Sequence, residues 1–196
     1  AKCRNGFLFP LPGATLHEER EERRNSIVER CEKAVELVSS HDGCSVCWCE
    51  LNKEGDTLEK MIPGSKQVSG SMSDEQKEEY LTAFSSGEID CLIIKPKIGA
   101  WGLNWQHCNN VVSFPSHSYE RHYQSVRRCY RFGQTKPVNV TLVVGEGEAG
   151  ILANLRRKSE QCEEMFSSIV RHMKDAMHLS TSDYFPELEK VPTWLS

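Results

Sequence analysis

The stretch DCLIIKPKIGAWGLNW, residues 90–105, decides how this sequence is read. Its first half, Asp90–Lys95, holds the unbroken apolar run CLII, the mark of a strand buried on both faces. Its second half turns at Gly99 and Gly102, and glycines there permit positive φ and close approach of backbone to a phosphate or another chain. Lys95 and Lys97 flank the turn, and Asn104 closes it. The same alternation continues outward. Upstream lie strands at Ser45–Leu51 and Lys66–Ser69, with helices near Gly55–Met61 and after Ser73. Ser73 and Gln76 have capping-box spacing, Tyr80, Leu81 and Phe84 form an apolar face, and Gly87 is a stop signal. Downstream lie strand Asn109–Phe114, helix Tyr119–Arg131 and strand Val138–Val144. A long helix follows from Ile151 to Met177, with an expected buried stripe at Leu155, Met165, Phe166, Ile169, Val170 and Met173. Short strands alternating with helices predict an α/β fold around a mainly parallel sheet covered on both faces. Ligands of such sheets bind at the carboxyl ends of the strands, here Gly70–Ser73, Lys95–Asn104, Pro115–Ser118 and Gly145–Gly147.

Bulk composition narrows the class. The chain has 196 residues, 24 Lys+Arg, 28 Asp+Glu and 38% hydrophobic residues, which suits one globular domain with a sizeable core. No run of 18 apolar residues occurs, so neither a transmembrane helix nor a membrane partner is expected. Ala1-Lys2-Cys3-Arg4 lacks a secretion signal, and nine scattered cysteines read as reduced thiols of a cytoplasmic protein. A start without Met suggests excision from a longer chain. Cys44, Cys47 and Cys49 are the one cluster of zinc type, but zinc needs four ligands and no second pair follows. No metal site is expected, and these cysteines read as small buried hydrophobes. From Leu16 to Ser40 an amphipathic helix is expected, with a solvated face of Glu and Arg at i,i+3 and i,i+4. The organisation is then a helical N-terminal extension over 1–40, an α/β unit over 41–147, and a long helix with a tail over 148–196.

The net charge of −4 speaks against a nucleic-acid partner, but the charge is uneven. Residues 117–145 carry five positive charges and one negative. Within them Tyr119, Tyr123, Val126 and Tyr130 form an expected apolar face, while Gln124, Arg128 and Arg131 share another. Arg127, Arg128 and Arg131 repel one another unless an anion or carboxylates neutralise them. Two readings stay open from these residues: guanidiniums aimed at phosphate oxygens, or arginines paired with acidic groups of their own domain.

QSVRRCYRFGQ, residues 124–134, resembles the sixth conserved motif of superfamily-2 helicases in its Snf2-type form, with Gln124, Arg128, Arg131, Gly133 and Gln134 matching. KPKIGAWGLNWQ resembles the fifth motif through Gly99, Gly102 and Asn104. CSVCWCEL resembles the fourth, and VSGSMSDEQKEEYLTAF a strand-to-helix step of the same family. WGLNWQHCNNVV followed by RRCYRFGQ is close in wording to phage and prophage helicases. The resemblance implies a RecA-like three-layer sandwich with helical N- and C-terminal extensions, the C-terminal lobe of a DNA helicase or translocase. It implies ATP and Mg²⁺ bound mainly by an N-terminal RecA-like lobe, with Arg131 as the principal arginine finger and Arg128 beside it. Gly102, Asn104, Gln124 and Gln134 would serve the nucleotide-side interface, and Gly70, Ser71, Lys95 and Lys97 the nucleic-acid backbone. Pro96, Ala100, Trp101 and Trp105 depart from the family pattern; the tryptophans read either as base-stacking platforms or as core.

No GxxxxGK[ST] occurs in the chain, and Asp74-Glu-Gln-Lys77 opens a polar helix instead of ending an apolar strand. The chain therefore holds half of an ATPase site and is expected to be inactive alone. The competing class is a non-catalytic nucleic-acid or protein interaction module that retains the fold. The basic run Arg156-Arg157-Lys158 bears on neither reading, since bracing another lobe, touching DNA and simple solvation all suit it.

Overall fold

The computed structural model of the protein describes residues 16–99 and 103–184. Their elements in order are α1 (Leu16–Asn25), α2 (Ile27–Ser39), β1 (Ser45–Trp48), α3 (Asn52–Met61), β2 (Lys66–Val68), α4 (Asp74–Ser86) and β3 (Cys91–Ile94). Then come α5 (Pro96–Gly99), β4 (Asn110–Ser113), α6 (Tyr119–Val126), β5 (Asn139–Leu142), a 3-10 turn (Glu146–Glu148) and α7 (Ala149–Tyr184). The five strands form one parallel sheet in the order β2-β3-β1-β4-β5. Every strand therefore ends on the same edge of the sheet.

Alternation along the strands builds two cores. Cys47, Cys91, Ile93 and Val112 point to one face, where Ile27, Cys31 and Ala34 of α2 and Leu58 of α3 cover them. Val46, Trp48, Leu92, Ile94 and Val111 point to the other, against Phe84 of α4, Trp105, Cys108 and Cys129. The result is the expected RecA-like three-layer sandwich. Trp105 is fully buried, with its ring 5.7 Å from Trp48 and 5.2 Å from Phe84, so it is core and no stacking platform. The thiols of Cys47 and Cys49 are buried too; the hydrogen bond with Cys91 and then burial push Cys47 up, and burial pushes Cys49 up to about 12.

Local signals set several boundaries. Ser73 Oγ accepts from Gln76 N at 3.3 Å to open α4, and Gly87 at φ +81° closes it in the left-handed region that other residues avoid. Elsewhere the observed ends depart from expectation. The charged segment is two helices, because Ser26 interrupts it and its hydroxyl donates to Glu22 O. Helix α3 starts at Asn52 instead of near Gly55, since the Glu54 carboxylate reaches back to accept from Glu50 N and Leu51 N, both at 2.9 Å. Helix α6 ends at Val126, five residues short of Arg131.

Helix α2, grouped in the sequence with an N-terminal extension, is part of the packed layer. Arg30 and Glu54, at 3% and 0% side-chain exposure, pair at 2.7 Å. Arg30 also lies over the Phe114 ring and 3.6 Å from Glu148, whose other oxygen binds Arg23 at 2.6 Å. Glu148 in turn accepts from Gly145 N, and Arg23 donates to Pro115 O. The exposed ion pairs expected of this segment are, for Arg23 and Arg30, an inward network joining α1 and α2 to the ends of β1, β4 and β5.

The described residues divide into two compact units, with the boundary between Leu155 and Arg156. Ile151 and Leu155 of α7 are buried within the first. In the second, Met165, Phe166, Ile169, Val170 and Met173 are 45–61% exposed, so the stripe expected to be buried faces solvent. Among the described residues no helix is long and apolar enough to cross a membrane.

Candidate functional site

At the carboxyl edge of the sheet, the turn after β2 exposes Gly70 and Ser71, with Ser71 Oγ 3.0 Å from Ser69 Oγ. Nothing lies within 4 Å of where a Gly70 Cβ would sit, so its backbone is open to approach. After β3, Lys95 donates to Asn52 Oδ1, and the exposed Lys97 follows on α5. Lys95, Lys53 and Arg24 line an open groove of about 460 Å³ beside Ile27, Glu50 and Asn52. Gly99 is held for packing: a Cβ there would meet Ile94 Cδ1 at 2.7 Å and the Trp48 ring at 3.1 Å. The motif glycine therefore lets α5 lie directly on the sheet. Gly102 and Trp101 fall outside the described residues.

The second cluster lies at the exit of α6, where the expected faces are rearranged. Tyr123 and Tyr130 are 45% and 58% exposed, and Ser125, Arg128 and Cys129 turn inward instead. Because α6 stops at Val126, the four-three-four spacing of Tyr119, Tyr123, Val126 and Tyr130 no longer defines one face. Arg127 lies against both exposed rings, 5.9 Å from Tyr123 and 6.0 Å from Tyr130. Arg128 is buried and spends its donors on Gln124 O at 3.1 Å, Gln124 Oε1 at 3.2 Å and Leu103 O at 3.0 Å. Burial, then the charges of Arg131 and Arg127, pull its pKa down from the usual guanidinium value. Arg131 is exposed and gives one N–H to the same Leu103 carbonyl at 3.3 Å. Among the described residues none of these three arginines pairs with a carboxylate, so the reading in which acidic neighbours neutralise them does not describe this site.

Gln134 completes the cluster. Its amide nitrogen reaches Gln106 O at 2.8 Å, Cys129 O at 3.2 Å and Cys108 O at 3.3 Å, while Gln106 donates to Phe132 O. Trp105 N donates to Arg128 O at 2.9 Å. The segments 103–108 and 128–134 are thus laced together, and Asn104 stands exposed between these bonds. The structure brings Gln124, Arg128, Arg131 and Gln134 together around this loop and sets Gly70, Ser71, Lys95 and Lys97 on the strand-end edge.

The network of Arg23, Arg30, Glu54 and Glu148 was not foreseen. One signal was available: Arg30 is three residues after Ile27 and four before Ala34, inside the apolar stripe of its helix. A charge at such a position needs a buried partner.

Residues 26–133 match the model of the helicase conserved C-terminal domain. The TATA-binding protein-associated factor MOT1 of Saccharomyces cerevisiae is 27% identical over 121 residues, covering 57% of this chain and 6% of that protein. The DNA repair protein RAD5 of Yarrowia lipolytica is 29% identical over 127 residues, covering 60% of this chain and 12% of that protein. The chain thus spans only a small part of these relatives. In fold it is similar to the C-terminal part of the Fun30 ATPase domain, with a TM-score of 0.57 and 21% identity over 69% of this chain and 47% of that one. It is also similar to the C-terminal domain of the DEAD-box protein Dbp5, with a TM-score of 0.57 and 16% identity over 67% of this chain and 78% of that one.

Proposed function

The chain belongs to the helicase conserved C-terminal domain family, and on that premise we propose that it is the second motor lobe of an ATP-dependent, Snf2-like DNA helicase or translocase. Its other lobe would lie elsewhere in a longer polypeptide. DNA is favoured as the track because the relatives include a DNA repair protein and a TATA-binding protein-associated factor. The wording around WGLNWQHCNNVV and RRCYRFGQ supports a phage or prophage member, and the scattered cysteines support a reduced, cytoplasmic setting.

The observation that carries the reading is the unequal placing of two arginines on one carbonyl. Arg128 is buried and committed to Leu103 and Gln124, whereas Arg131 is exposed beside it with most of its donors turned to no acidic group. A donor set of guanidinium and amide groups without a carboxylate fits a polyphosphate. Arg131 is then the finger that neutralises charge on the phosphoryl oxygens in the transition state. Arg128 is a positioning residue that fixes the Leu103 loop, with Gln124 and Gln134 bracing it and Gly102 and Asn104 relaying its state to the lobe interface. ATP supplies the phosphoryl group whose hydrolysis alters the fit between the lobes. In this reading Mg²⁺ is held by carboxylates of the other lobe. Gly70, Ser71, Lys95 and Lys97 contact the DNA backbone from the strand-end edge.

The test uses both the isolated chain and the full-length protein. The isolated chain hydrolyses no ATP, and measurable turnover by it would contradict half-site assignment. In the full-length protein, Lys95→Glu with Lys97→Glu weakens DNA binding and flattens its salt dependence by about 0.9 per lost phosphate contact. An unchanged slope would remove both lysines from the DNA surface.

A further inference from the structure

Between residues 160 and 174 the second unit is a helix whose large apolar side chains have no cover among the described residues. Cys162, Phe166, Ile169 and Met173 follow one another at intervals of four, three and four, the spacing of a coiled-coil seam, with Met165 and Val170 on its flanks. Five of these six are large hydrophobic residues 45–61% exposed. A contiguous apolar patch of this kind marks an interaction surface.

The order of the residues says what fits it. Reversal of the segment about the midpoint between Ser167 and Ser168 exchanges Phe166 with Ile169, Met165 with Val170 and Cys162 with Met173. The seam is therefore its own complement in the antiparallel sense. Within 161–174 charge follows the same reversal: Glu163 and Glu164 precede the midpoint, and Arg171 and Lys174 follow it, whereas Glu160, just outside, has the acidic Asp175 as its mirror. Those four are exposed. A parallel pair would lay acidic half on acidic half. An antiparallel pair lays each acidic half beside a basic one, and on the seam's flank it brings Glu163 near Lys174 of the other copy, twice per dimer.

We propose that this face of α7 is a homodimer interface, occupied by the same segment of a second copy of the chain in antiparallel orientation about a two-fold axis at Ser167–Ser168. The contact is isologous, so each pairing occurs twice. It spans about 18 Å of helix at 1.5 Å per residue. The proposal does not depend on the motor reading.

Sedimentation velocity on the 196-residue chain tests it. The chain sediments as a dimer that dissociates on dilution, and Ile169→Glu sediments as a monomer with unchanged helical circular dichroism. Glu163→Lys and Lys174→Glu each weaken dimerisation by roughly tenfold through two like-charge contacts. An equimolar mixture of those two variants dimerises more tightly than either alone, because every flank contact is again of opposite sign. A wild-type chain monomeric at all concentrations overturns the proposal and assigns the face to a different partner. So does a dimer indifferent to Ile169→Glu, and a mixture no tighter than its components excludes the antiparallel register.

Discussion

Arg30 lies within the apolar face of α2, and its guanidinium is met there by Glu54 at 2.7 Å and by Glu148 at 3.6 Å. The Glu54 carboxylate does two further things: it accepts the amides of Glu50 and Leu51, which fixes where the chain leaves β1 and enters α3. Removing one member of such a pair strands a buried charge, a far larger cost than an exposed ion pair represents. Glu54→Ala should therefore lose about 3–5 kcal/mol of stability, read as a lower urea midpoint. A loss within about 1 kcal/mol, the range of exposed pairs, would mean the network contributes little. Gly99, read as an approach for phosphate, is a packing glycine against Ile94 and Trp48; the motif positions Arg131 and Gln134 were legible as parts of a family pattern. Arg23, Arg30 and Glu148 were not, because their partners are distant in sequence; Arg23 and Glu148 are 125 residues apart.

Among the elements, α4 was legible at both ends because its signals are local. Ser73 caps the amide of Gln76, and Gly87 supplies the left-handed residue. Ser73→Ala should cost about 1 kcal/mol, the usual worth of an N-cap hydroxyl, whereas Ser73→Asp should retain stability; equal losses for both would show that the cap is not what holds this end. The exit of helix α6 is not legible in the sequence, for the converse reason. Nothing in VRRCYR ends a helix by itself. The chain turns after Val126 because Arg128 and Gln134 find carbonyls at Leu103, Gln106 and Cys108, more than twenty residues upstream.

At the scale of the whole molecule, the parallel sheet followed from the alternation of apolar strands with helices, and the burial of all four residues in β1, β3 and β4 agrees with it. The inward docking of α2 and the exposed face of α7 were less legible, because an apolar helical stripe does not say what covers it. The fold also carries a pH dependence. Burial depresses the pKa of His107 and of His122 from the ordinary 6.5. Above the unfolded-state value both imidazoles are neutral in folded and unfolded chains alike, and their environments cost nothing. As pH falls below 6.5 the unfolded chain takes up protons that the folded one resists, so stability declines. The urea midpoint should drop on acidification through that range, and less steeply in His122→Gln; an identical slope in the variant would remove His122 as a contributor.

All three scales meet at Arg131, which the residues 128–134 hold at the surface and the sheet carries to one side of the lobe. The most direct test is DNA-stimulated ATP turnover by the full-length protein with Arg131→Ala, measured alongside nucleotide and DNA binding. If Arg131 is the finger, kcat falls by roughly 10³-fold or more while DNA affinity and folding stay close to wild type. Near-normal turnover by Arg131→Ala would contradict the assignment of this chain as the lobe that completes the ATPase site.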